Sequence, residues 1–510
     1  MGDGRQGGQA MEADVVVVGG GLAGITCAVG LAQQGLEICL VERGRRLGGR
    51  ARSWIDEVTG DPVHIGPHIL LSEYPNMLKL LDMLGTGDRV VWQEDSLLTF
   101  AEGTRAVDTT LWPLGAPFHL LPSMLFDDRC TPGQRLSNLP VTLYAMWLQE
   151  EDLLRLDGVN AGRFLRRMGV SQAYIDDFWS FMCMAIMNVP IEACSAGALM
   201  RFYQRFVGVG AFRFGFPDGG LGDLFAPQAR TMLEEDGHPV MLEAQAVEFL
   251  GEGDDVQGVR LADGRRIQAR RVVAALPPQD LARLSRPGWD ERWQTFGDLP
   301  VFEPCPYIST FIWFDRKLTD RKMWARVYRP DDLNCDFYDL SNIHRGWEER
   351  PSVIASNIIY AARVGEMSDE EVLEATLAEI REFLPAATRE AVTHRVINRI
   401  PMAIHCPFPG TEGRRPPVKT PVRGLWIAGD WTATSLPSSM ESACASGWRV
   451  AEGVGESLGL PRATLEQSPT PLGGMAGALN DLSRRSPTRQ LRRWARDMGR
   501  RVTEELGLKS

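Results

Sequence analysis

Residues 14–42 read DVVVVGGGLAGITCAVGLAQQGLEICLVE, and this stretch decides the fold. The apolar β-branched run predicts a buried strand, the glycines predict a tight turn, and the following apolar residues have helical spacing before a second strand begins. Gly19, Gly21 and Gly24 have the spacing of a dinucleotide-binding turn, and Glu42 ends the second strand 18 residues after Gly24. The sequence therefore predicts an α/β domain that binds a dinucleotide.

Each position of this turn has a physical reason. Gly19 permits the tight turn, Gly21 lets a pyrophosphate approach the backbone, and Gly24 lets the helix pack closely on the strand. The helix would begin with Leu22 and Ala23, where free backbone N–H groups and the positive end of the helix dipole attract phosphate.

The acid after the second strand and the residues that follow it narrow the choice of dinucleotide. We expect Glu42 to accept hydrogen bonds from an adenosine ribose, and its charge disfavours the 2′-phosphate of NADP. Directly after Glu42 comes RGRRLGGRARS, in which Gly48 and Gly49 stand among arginines. A soluble NAD dehydrogenase has no obvious need for this second glycine pair.

A second nucleotide segment lies near the other end of the chain, in TPVRGLWIAGDWTATSLPSSMESACASGWRVAEGV, residues 420–454. Residues 425–428 predict a short buried strand, and Gly429 turns the chain so that Asp430 lies at the carboxyl edge, where open α/β sheets bind ligands. Ser438 and Glu441 have the spacing of a capping box, which predicts a helix from Ser438 to about residue 454.

Together these two segments resemble the flavin-containing amine oxidase and carotenoid desaturase superfamily. The resemblance implies FAD as cofactor and a two-domain α/β flavoprotein with a discontinuous Rossmann-like domain and a mixed α+β substrate domain. It implies further FAD contacts, beyond the first glycine turn and Glu42, at Arg43, Gly49, Arg50, Gly429, Asp430 and Met440, the last at the helix start that would point at the flavin.

The same resemblance divides the chain. The FAD-binding domain is expected at 12–75, 213–280 and 419–460, and the substrate domain at 76–212 and 281–418. The adenine contact falls on Ala246 or Val247, and these alternatives stay open. Within the second insertion, Ser368 with Glu371 three residues later predicts a capped helix.

Three shorter stretches concern the substrate. HIGPHILLSEYPNM from His64 and MRFYQ from Met200 resemble plant-type phytoene and zeta-carotene desaturases, whereas GDWT with Pro437 resembles bacterial hydroxysqualene dehydroxylases. Both families act on long apolar isoprenoids by hydride transfer with the flavin, in opposite directions. The resemblance implies a quinone as electron acceptor and places Gly66, Pro67 and His68 near the flavin.

The same resemblance makes His68 and Arg201 candidate catalytic residues. Each has a structural alternative: His68 would hold backbone at the flavin, and Arg201 would be a salt-bridged arginine. The competing class is a flavin amine oxidase acting on a small amine or a polyamine. Cys406 could suggest covalent flavin attachment, but its proline-rich context does not match. A non-catalytic FAD-bound scaffold is the least favoured alternative.

Composition agrees with a large globular enzyme. The chain has 510 residues, of which 44% are hydrophobic and 24% are charged. The nine cysteines show no metal-ligand spacing, so we expect no metal and read them as reduced thiols of a cytosolic protein. No run of 18 apolar residues or signal peptide is visible, and a net charge of −11 argues against nucleic acid as a partner.

The C-terminal region differs from the rest in charge. Residues 461–510 carry ten Lys and Arg against five Asp and Glu, so this region is +5 and the remainder is −16. Residues 461–487 predict a flexible linker, and 488–503 predict an amphipathic helix with Trp494 on its apolar face and arginines on the others. Such a helix would bind the inner membrane surface or pack on the acidic body, and the two are evenly favoured. The sequence does not predict the oligomeric state.

Overall fold

The structure is a computed structural model that describes residues 11–94, 97–122, 129–487 and 489. The strands are β1 Met11–Val18, β2 Ile38–Val41, β3 Ser53–Ile55, β4 Pro62–His64, β5 Leu70–Leu71, β6 Val90–Trp92, β7 Leu98–Glu102, β8 Arg105–Thr109, β9 Phe214–Pro217, β10 Val240–Met241, β11 Ala246–Leu250, β12 Gly258–Leu261, β13 Arg266–Ala274, β14 Pro304–Phe314, β15 Met323–Arg326, β16 Asn334–Asp339, β17 Val353–Ile358, β18 Val392–His405 and β19 Leu425–Ile427.

Helices of seven or more residues are numbered here, and shorter helical turns are named by their residues. They are α1 Leu22–Ala32, α2 Pro75–Met83, α3 Leu139–Trp147, α4 Glu150–Leu156, α5 Ala161–Arg167, α6 Ala196–Gly208, α7 Ala226–Glu235, α8 Pro278–Leu284, α9 Asp369–Phe383, α10 Met440–Ser457 and α11 Gly474–Arg485.

The first sheet is assembled from three distant parts of the chain. Its order is β10-β2-β1-β13-β12-β11, with β19 paired to β13, and β10, β2, β1, β13 and β19 are parallel. Buried valines of β1 face both sides of the sheet, as expected of a parallel strand covered by other elements on each face. The predicted α/β class with a discontinuous dinucleotide domain is confirmed.

The carboxyl ends of these parallel strands meet at one edge. β1 is followed by Gly19, β2 by Glu42, β13 by Ala275 and β19 by the segment that contains Asp430. Ligands of open α/β sheets bind outside this edge. The two predicted nucleotide segments, residues 14–42 and 420–454, are thereby brought together.

The second sheet is built from the two insertions. Its order is β18-β14-β17-β16-β15-β7-β8, and neighbours are antiparallel except β15 and β7. One face packs against α9, whose N-cap Ser368 and Glu371 form the predicted capping box. The opposite face turns toward a helical layer that includes α3 to α6.

The N-cap of helix α10 lies one residue later than predicted. Its N-cap is Ser439, whose side chain accepts from the backbone N–H of Ser442. The expected capping box with Ser438 does not form because the carboxylate of Glu441 is used elsewhere. It accepts the backbone N–H groups of Asn76 and Met77, and so caps the start of α2.

Residues 461–487 are not the flexible linker that their composition predicts. Helix α11 occupies Gly474–Arg485 and packs on α3, and the chain before it is tied to the body through the ion pair between Arg449 and Glu466. The tail helix predicted at 488–503 lies outside the described residues except for Arg489, which forms an ion pair with Asp152 of α4.

Candidate active site

A cavity of about 1300 Å³ runs from the carboxyl edge of the first sheet to the inner face of the second. One end is lined by the predicted nucleotide segments, and the other by apolar and aromatic side chains of the two insertions. This volume exceeds the upper end of ordinary small-molecule pockets, so it has room for a cofactor and a substrate in one continuous space.

The glycines of the first turn divide into two kinds. A Cβ on Gly19 would lie 2.4 Å from the carbonyl oxygen of Ala275, and one on Gly24 would lie 1.9 Å from the carbonyl oxygen of Gly19. Both positions therefore require glycine for close packing. Gly21 has space in front of its Cα and lines the cavity together with Leu22 and Ala23, whereas Gly24 does not line it. The open backbone at Gly21 fits the approach of a pyrophosphate.

Glu42 is held at the cavity edge by two backbone groups. Its Oε2 accepts from the N–H of Gly20 and its Oε1 from the N–H of Gly44, each at 2.7 Å. An ionised carboxylate has about four acceptor positions, so both oxygens can still accept from a ribose hydroxyl. Neighbouring Arg43 also lines the cavity.

The second glycine pair lies against the first turn and reaches the C-terminal segment. Gly48 donates to the carbonyl of Gly20 at 2.8 Å, and Gly49 approaches Gly21 closely. The guanidinium of Arg50 then bonds to Asp430, with Nη2 to Oδ1 at 2.5 Å and Nη1 to Oδ2 at 3.4 Å. The two predicted FAD segments are thus joined by a bidentate ion pair at the cavity wall.

The charge of Asp430 is stabilised within the protein. Burial alone raises the pKa of its carboxyl, but the guanidinium groups of Arg50 and Arg415 outweigh this, and the pKa lies below its ordinary value. Burial in turn lowers the pKa of His405 to about 4, so the imidazole is neutral at pH 7. Asp430 is therefore an ionised acceptor whose geometry is already determined.

The predicted cofactor contacts come together around this end of the cavity. Those that line it are Gly19, Gly21, Leu22, Ala23, Glu42, Arg43, Gly49, Arg50, Gly66, Pro67, His68, Ala246, Val247, Gly429, Asp430 and Met440. Ala246 and Val247 both line it, so the choice between them for the adenine contact stays open. Open backbone at Gly21, the acceptor Glu42 and the N-terminus of α10 match the pyrophosphate, ribose and flavin ends of FAD, which fits this site.

The loop 65–68 is fastened to the second sheet by residues that sequence reasoning missed. Ser309 of β14 donates to the carbonyl of Ile65 at 2.5 Å, and Asn357 of β17 donates to the carbonyl of Pro67 at 2.9 Å. Neither position carries a motif, because both contacts depend on how distant strands pack.

His68 turns one ring nitrogen onto its own loop. Its Nδ1 lies 2.7 Å from the carbonyl oxygen of Gly66, which assigns the proton of the neutral ring to Nδ1. Burial lowers the pKa of His68. The geometry favours the structural alternative, in which this histidine holds backbone beside the cofactor.

The structure favours the salt-bridged alternative for Arg201, and a role at the flavin stays a prediction. The guanidinium is 5% exposed and forms ion pairs with Glu150, at 2.6 Å, and Glu412, at 3.2 Å. It is absent from the cavity lining, where Arg205, one helical turn later, is found instead. Arg201 therefore has the salt-bridged role, which a sequence motif cannot distinguish from a catalytic one.

The far wall of the cavity is mainly apolar. Its helical side contains two π-helical turns, Ile175–Trp179 and Cys183–Met187, a geometry often found at functional sites. Apolar side chains that line this part include Met146, Phe178, Phe181, Met182, Ile186, Phe202, Phe206 and Phe212. The sheet side contributes Tyr307, Asp336, Tyr338 and Ile359.

Three further observations bear on the alternatives. Cys406 is buried and is not part of the cavity lining, which does not support covalent flavin attachment. Across the described ranges, no group of three or more His, Cys, Asp and Glu is arranged to hold a metal ion. In that same portion of the chain, every helix is too short or too polar to cross a bilayer.

Comparison with known proteins agrees with this site. The family model for flavin containing amine oxidoreductase matches residues 22–455. The 15-cis-phytoene desaturase of Synechococcus elongatus is 28% identical over 86% of this chain and 95% of its own. The 15-cis-phytoene desaturase of Solanum lycopersicum is 26% identical over 86% of this chain and 77% of its own.

Among solved structures, putrescine oxidase bound to putrescine superposes with a TM-score of 0.67 at 18% identity, covering 87% of this chain and 99% of that one. At this identity the likeness concerns the fold. Because the family model spans most of the sequence, the chain belongs to the flavin-containing amine oxidoreductase family and is an FAD-dependent oxidoreductase.

Proposed function

We propose that the protein transfers hydride between FAD and a long apolar isoprenoid, and that the reaction is desaturation of phytoene or a related carotenoid precursor. The observation that carries this proposal is the continuity of the cavity, which joins the predicted FAD-binding residues to a largely apolar wall. A hydrocarbon offers no charge to bind, so an enzyme must recognise it by the shape of an elongated apolar channel.

The mouth of the cavity supports an apolar substrate. Phe118, Leu139, Leu143 and Met475 line the cavity and are nevertheless between 36 and 46% exposed. Large side chains exposed together around an opening are a common mark of a lipid or protein contact. A substrate leaving a bilayer could pass from lipid to cavity along these side chains without crossing water.

The names of the curated relatives point to the same substrate class. Both relatives described above are named 15-cis-phytoene desaturases, and each aligns over most of this chain. At 26 to 28% identity, the likeness supports the class of reaction rather than the particular bond that changes.

In this reaction the protein binds, orients and shields. FAD, when bound, supplies the hydride acceptor. Gly21, Glu42 and Arg50 with Asp430 would hold its pyrophosphate and ribose regions, and the apolar wall would align the isoprenoid and exclude water. Asn357 and Ser309 keep the loop 65–68 in place between the cofactor region and the sheet.

Two alternatives give different results in the same assays. Reductive dehydroxylation of hydroxysqualene would move hydride from reduced flavin to the substrate, so it would need prereduced enzyme. Oxidation of an amine would need a polar amine to reduce the flavin, as the likeness in fold to putrescine oxidase suggests.

We also propose that the protein works in the cytosol at the inner membrane surface and that a quinone reoxidises its flavin. The apolar mouth is the described surface that would meet the bilayer, and a lipid-soluble quinone could enter by the same route. The tail would add attraction to anionic lipids if its arginines face the membrane. The ion pair between Arg489 and Asp152 favours the other alternative for the start of the tail, where it packs on the body.

The membrane proposal predicts separate effects of mouth and tail. Leu139→Asp with Leu143→Asp should reduce binding to neutral and anionic liposomes, whereas Leu154→Asp, an exposed leucine of α4, should not. Removing residues 490–510 should weaken only the salt-sensitive binding to anionic liposomes. Binding is measured by flotation with liposomes. If both altered proteins float with the liposomes to the same extent as the wild type, a membrane contact is contradicted.

The substrate is best tested in a host that makes phytoene, squalene or hydroxysqualene. Expression of the full chain followed by chromatography of extracted lipids should reveal a more unsaturated product from phytoene. Conversion of hydroxysqualene alone would favour dehydroxylation. Unchanged lipids, together with amine oxidation by the purified enzyme, would refute the proposal.

A further inference from the structure

The strand β16 carries a β-bulge that faces the cavity. Asn334 pairs with Ile358 of β17, and the next recorded pair is Phe337 with Ser356, so β16 has one more residue than β17 between them. Cys335 and Asp336 are the two residues of this bulge. Bulges redirect side chains and are frequent beside active sites.

The bulge decides which face Asp336 occupies. Asn334 and Phe337 face helix α9, since Asn334 bonds to Glu379 and Phe337 belongs to the same buried cluster as Leu373. In a regular strand the alternation of side chains would place Asp336 on the same side as Asn334. The additional residue instead puts Asp336 into the cavity lining.

One oxygen of Asp336 has a partner and the other has none. Oδ2 accepts from the hydroxyl of Tyr338 at 2.8 Å. Oδ1 makes no hydrogen bond within the described part of the chain, and water cannot reach it freely because the residue is only 8% exposed. A buried acceptor without a partner is costly, and in a cavity wall it indicates a group that meets a ligand.

Among the residues that the structure describes, no positively charged side chain lowers the pKa of the Asp336 carboxyl. Its titratable neighbours are Tyr338 and Cys335 on its own strand and Tyr307 on β14. Arg326 of β15 is engaged by Asp332 and Glu379. Burial raises the pKa of the Asp336 carboxyl to about 6, against the smaller lowering effect of the Tyr338 hydroxyl.

Two other titratable groups of the cavity, Glu73 and His68, fit a proton-accepting role less well. Glu73 also has a buried oxygen without a hydrogen-bond partner among the described residues, but it interacts with the positive charge of Arg205, which compensates its own. His68 directs one nitrogen to its own loop. Asp336 is distinguished by its place in the apolar wall opposite the helical layer.

We propose that Asp336 is the catalytic residue that accepts the proton lost by the substrate during desaturation. This inference rests on the proposed function. One substrate C–H bond would break with its electron pair leaving as hydride, and FAD, when bound, would supply the two-electron acceptor. The adjacent carbon gives a proton to Oδ1, and the electrons of that C–H bond form the new double bond. The carboxylic acid later returns its proton to solvent.

The test compares holoenzymes that differ at this carboxyl. Asp336→Asn keeps the shape and removes the base, Tyr338→Phe removes the hydroxyl that lowers the pKa of Asp336, and Asp331→Asn changes an exposed acid nearby as the control. Anaerobic flavin reduction by phytoene in liposomes is followed from pH 5 to 8. Infrared titration of the carboxyl without substrate provides a readout independent of turnover.

In wild-type and Asp331→Asn proteins the rate should fall as the pH drops below about 6, because the carboxylate is the active form. Asp336→Asn should be slower by about 100-fold or more, without this pH dependence and with unchanged FAD content. Tyr338→Phe should move the fall to higher pH. The infrared band of the protonated acid should titrate in wild type and be absent in Asp336→Asn.

Two results would overturn the assignment. If phytoene reduces Asp336→Asn as fast as wild type and with the same pH dependence, Asp336 is not the proton acceptor. The same holds if no carboxyl band titrates in this pH range. A wild-type holoenzyme that phytoene does not reduce at all would instead refute the proposed function, and the role of Asp336 with it.

Discussion

Replacing Glu42 by Gln should weaken FAD binding by about 10- to 150-fold. Each oxygen of the carboxylate already accepts one backbone N–H, from Gly20 or Gly44, at 2.7 Å. Gln retains one acceptor oxygen, but its uncharged NH₂ group donates hydrogen bonds and cannot accept them. One charge-assisted hydrogen bond from the ribose is therefore lost. Such a bond contributes about 1.5–3 kcal/mol, which corresponds to this range of dissociation constants.

The assay is titration of the apoprotein with FAD by calorimetry, together with thermal unfolding with and without FAD. The rise in midpoint on adding FAD should shrink in Glu42→Gln, because stabilisation by a ligand follows its affinity. Glu37→Gln, at an exposed position before β2, is the matched control and should bind as wild type. An FAD affinity of Glu42→Gln within twofold of the control would refute the assignment of Glu42 to the cofactor.

Three further predictions concern the ion pair of Asp430, the cavity wall at Ala185 and the imidazole of His344. Asp430→Ala should lower the free energy of unfolding of the apoprotein by about 2–3 kcal/mol, because it breaks the buried pair with Arg50. Glu248→Ala breaks the exposed pair with Arg260 and should lower it by less than about 1 kcal/mol. Equal losses in urea unfolding would contradict this difference. Ala185→Phe fills the cavity and should slow phytoene turnover at least about tenfold while the FAD content stays normal. The control Ala173→Phe, at an exposed position, should turn over phytoene as the wild type does. Equal rates of the two variants would contradict a substrate channel at Ala185. Burial lowers the pKa of His344 to about 4. As the pH falls, the imidazole of His344 is therefore protonated in the unfolded chain before it is in the folded protein. The free energy of unfolding should then fall by about 3 kcal/mol between about pH 6.5 and 4. His344→Gln should remove that part of the fall, and an unchanged pH dependence of unfolding would exclude it.

The elements that sequence predicted correctly depend on neighbouring residues. The turn at Gly19 and Gly24, the acid at Glu42 and the capping box of Ser368 are determined within a few residues or within one βαβ unit. Their side chains and backbone groups contact partners that lie close by in the sequence. For that reason these local elements could be predicted from the sequence.

The elements that sequence missed depend on contacts between distant segments. Glu441 has the spacing of a cap for its own helix, but Asn76 and Met77 take its carboxylate. Arg201 has the position of a catalytic arginine in a family motif, but Glu150 and Glu412 surround it. No local pattern reports which of two competing partners is nearer in the fold.

The same reason explains the substrate end of the site. Asp336 reaches the cavity through a bulge that exists only when β16 pairs with β17. Residues 461–487 have the composition of a linker, and yet α11 forms there because Ala476 and Ser483 are buried against the body. Composition indicates the conformation that an isolated segment prefers, whereas packing against the rest of the protein determines the conformation that it adopts in the fold.

The most direct measurement of the central claim is anaerobic reduction of the bound flavin, followed by absorbance after mixing with phytoene in liposomes or with putrescine in buffer. The account predicts that phytoene bleaches the oxidised flavin, that chromatography of the quenched mixture shows a product with an additional double bond, and that putrescine leaves the spectrum unchanged. Bleaching by putrescine with no response to phytoene, squalene or hydroxysqualene would contradict the account and make the protein an amine oxidase.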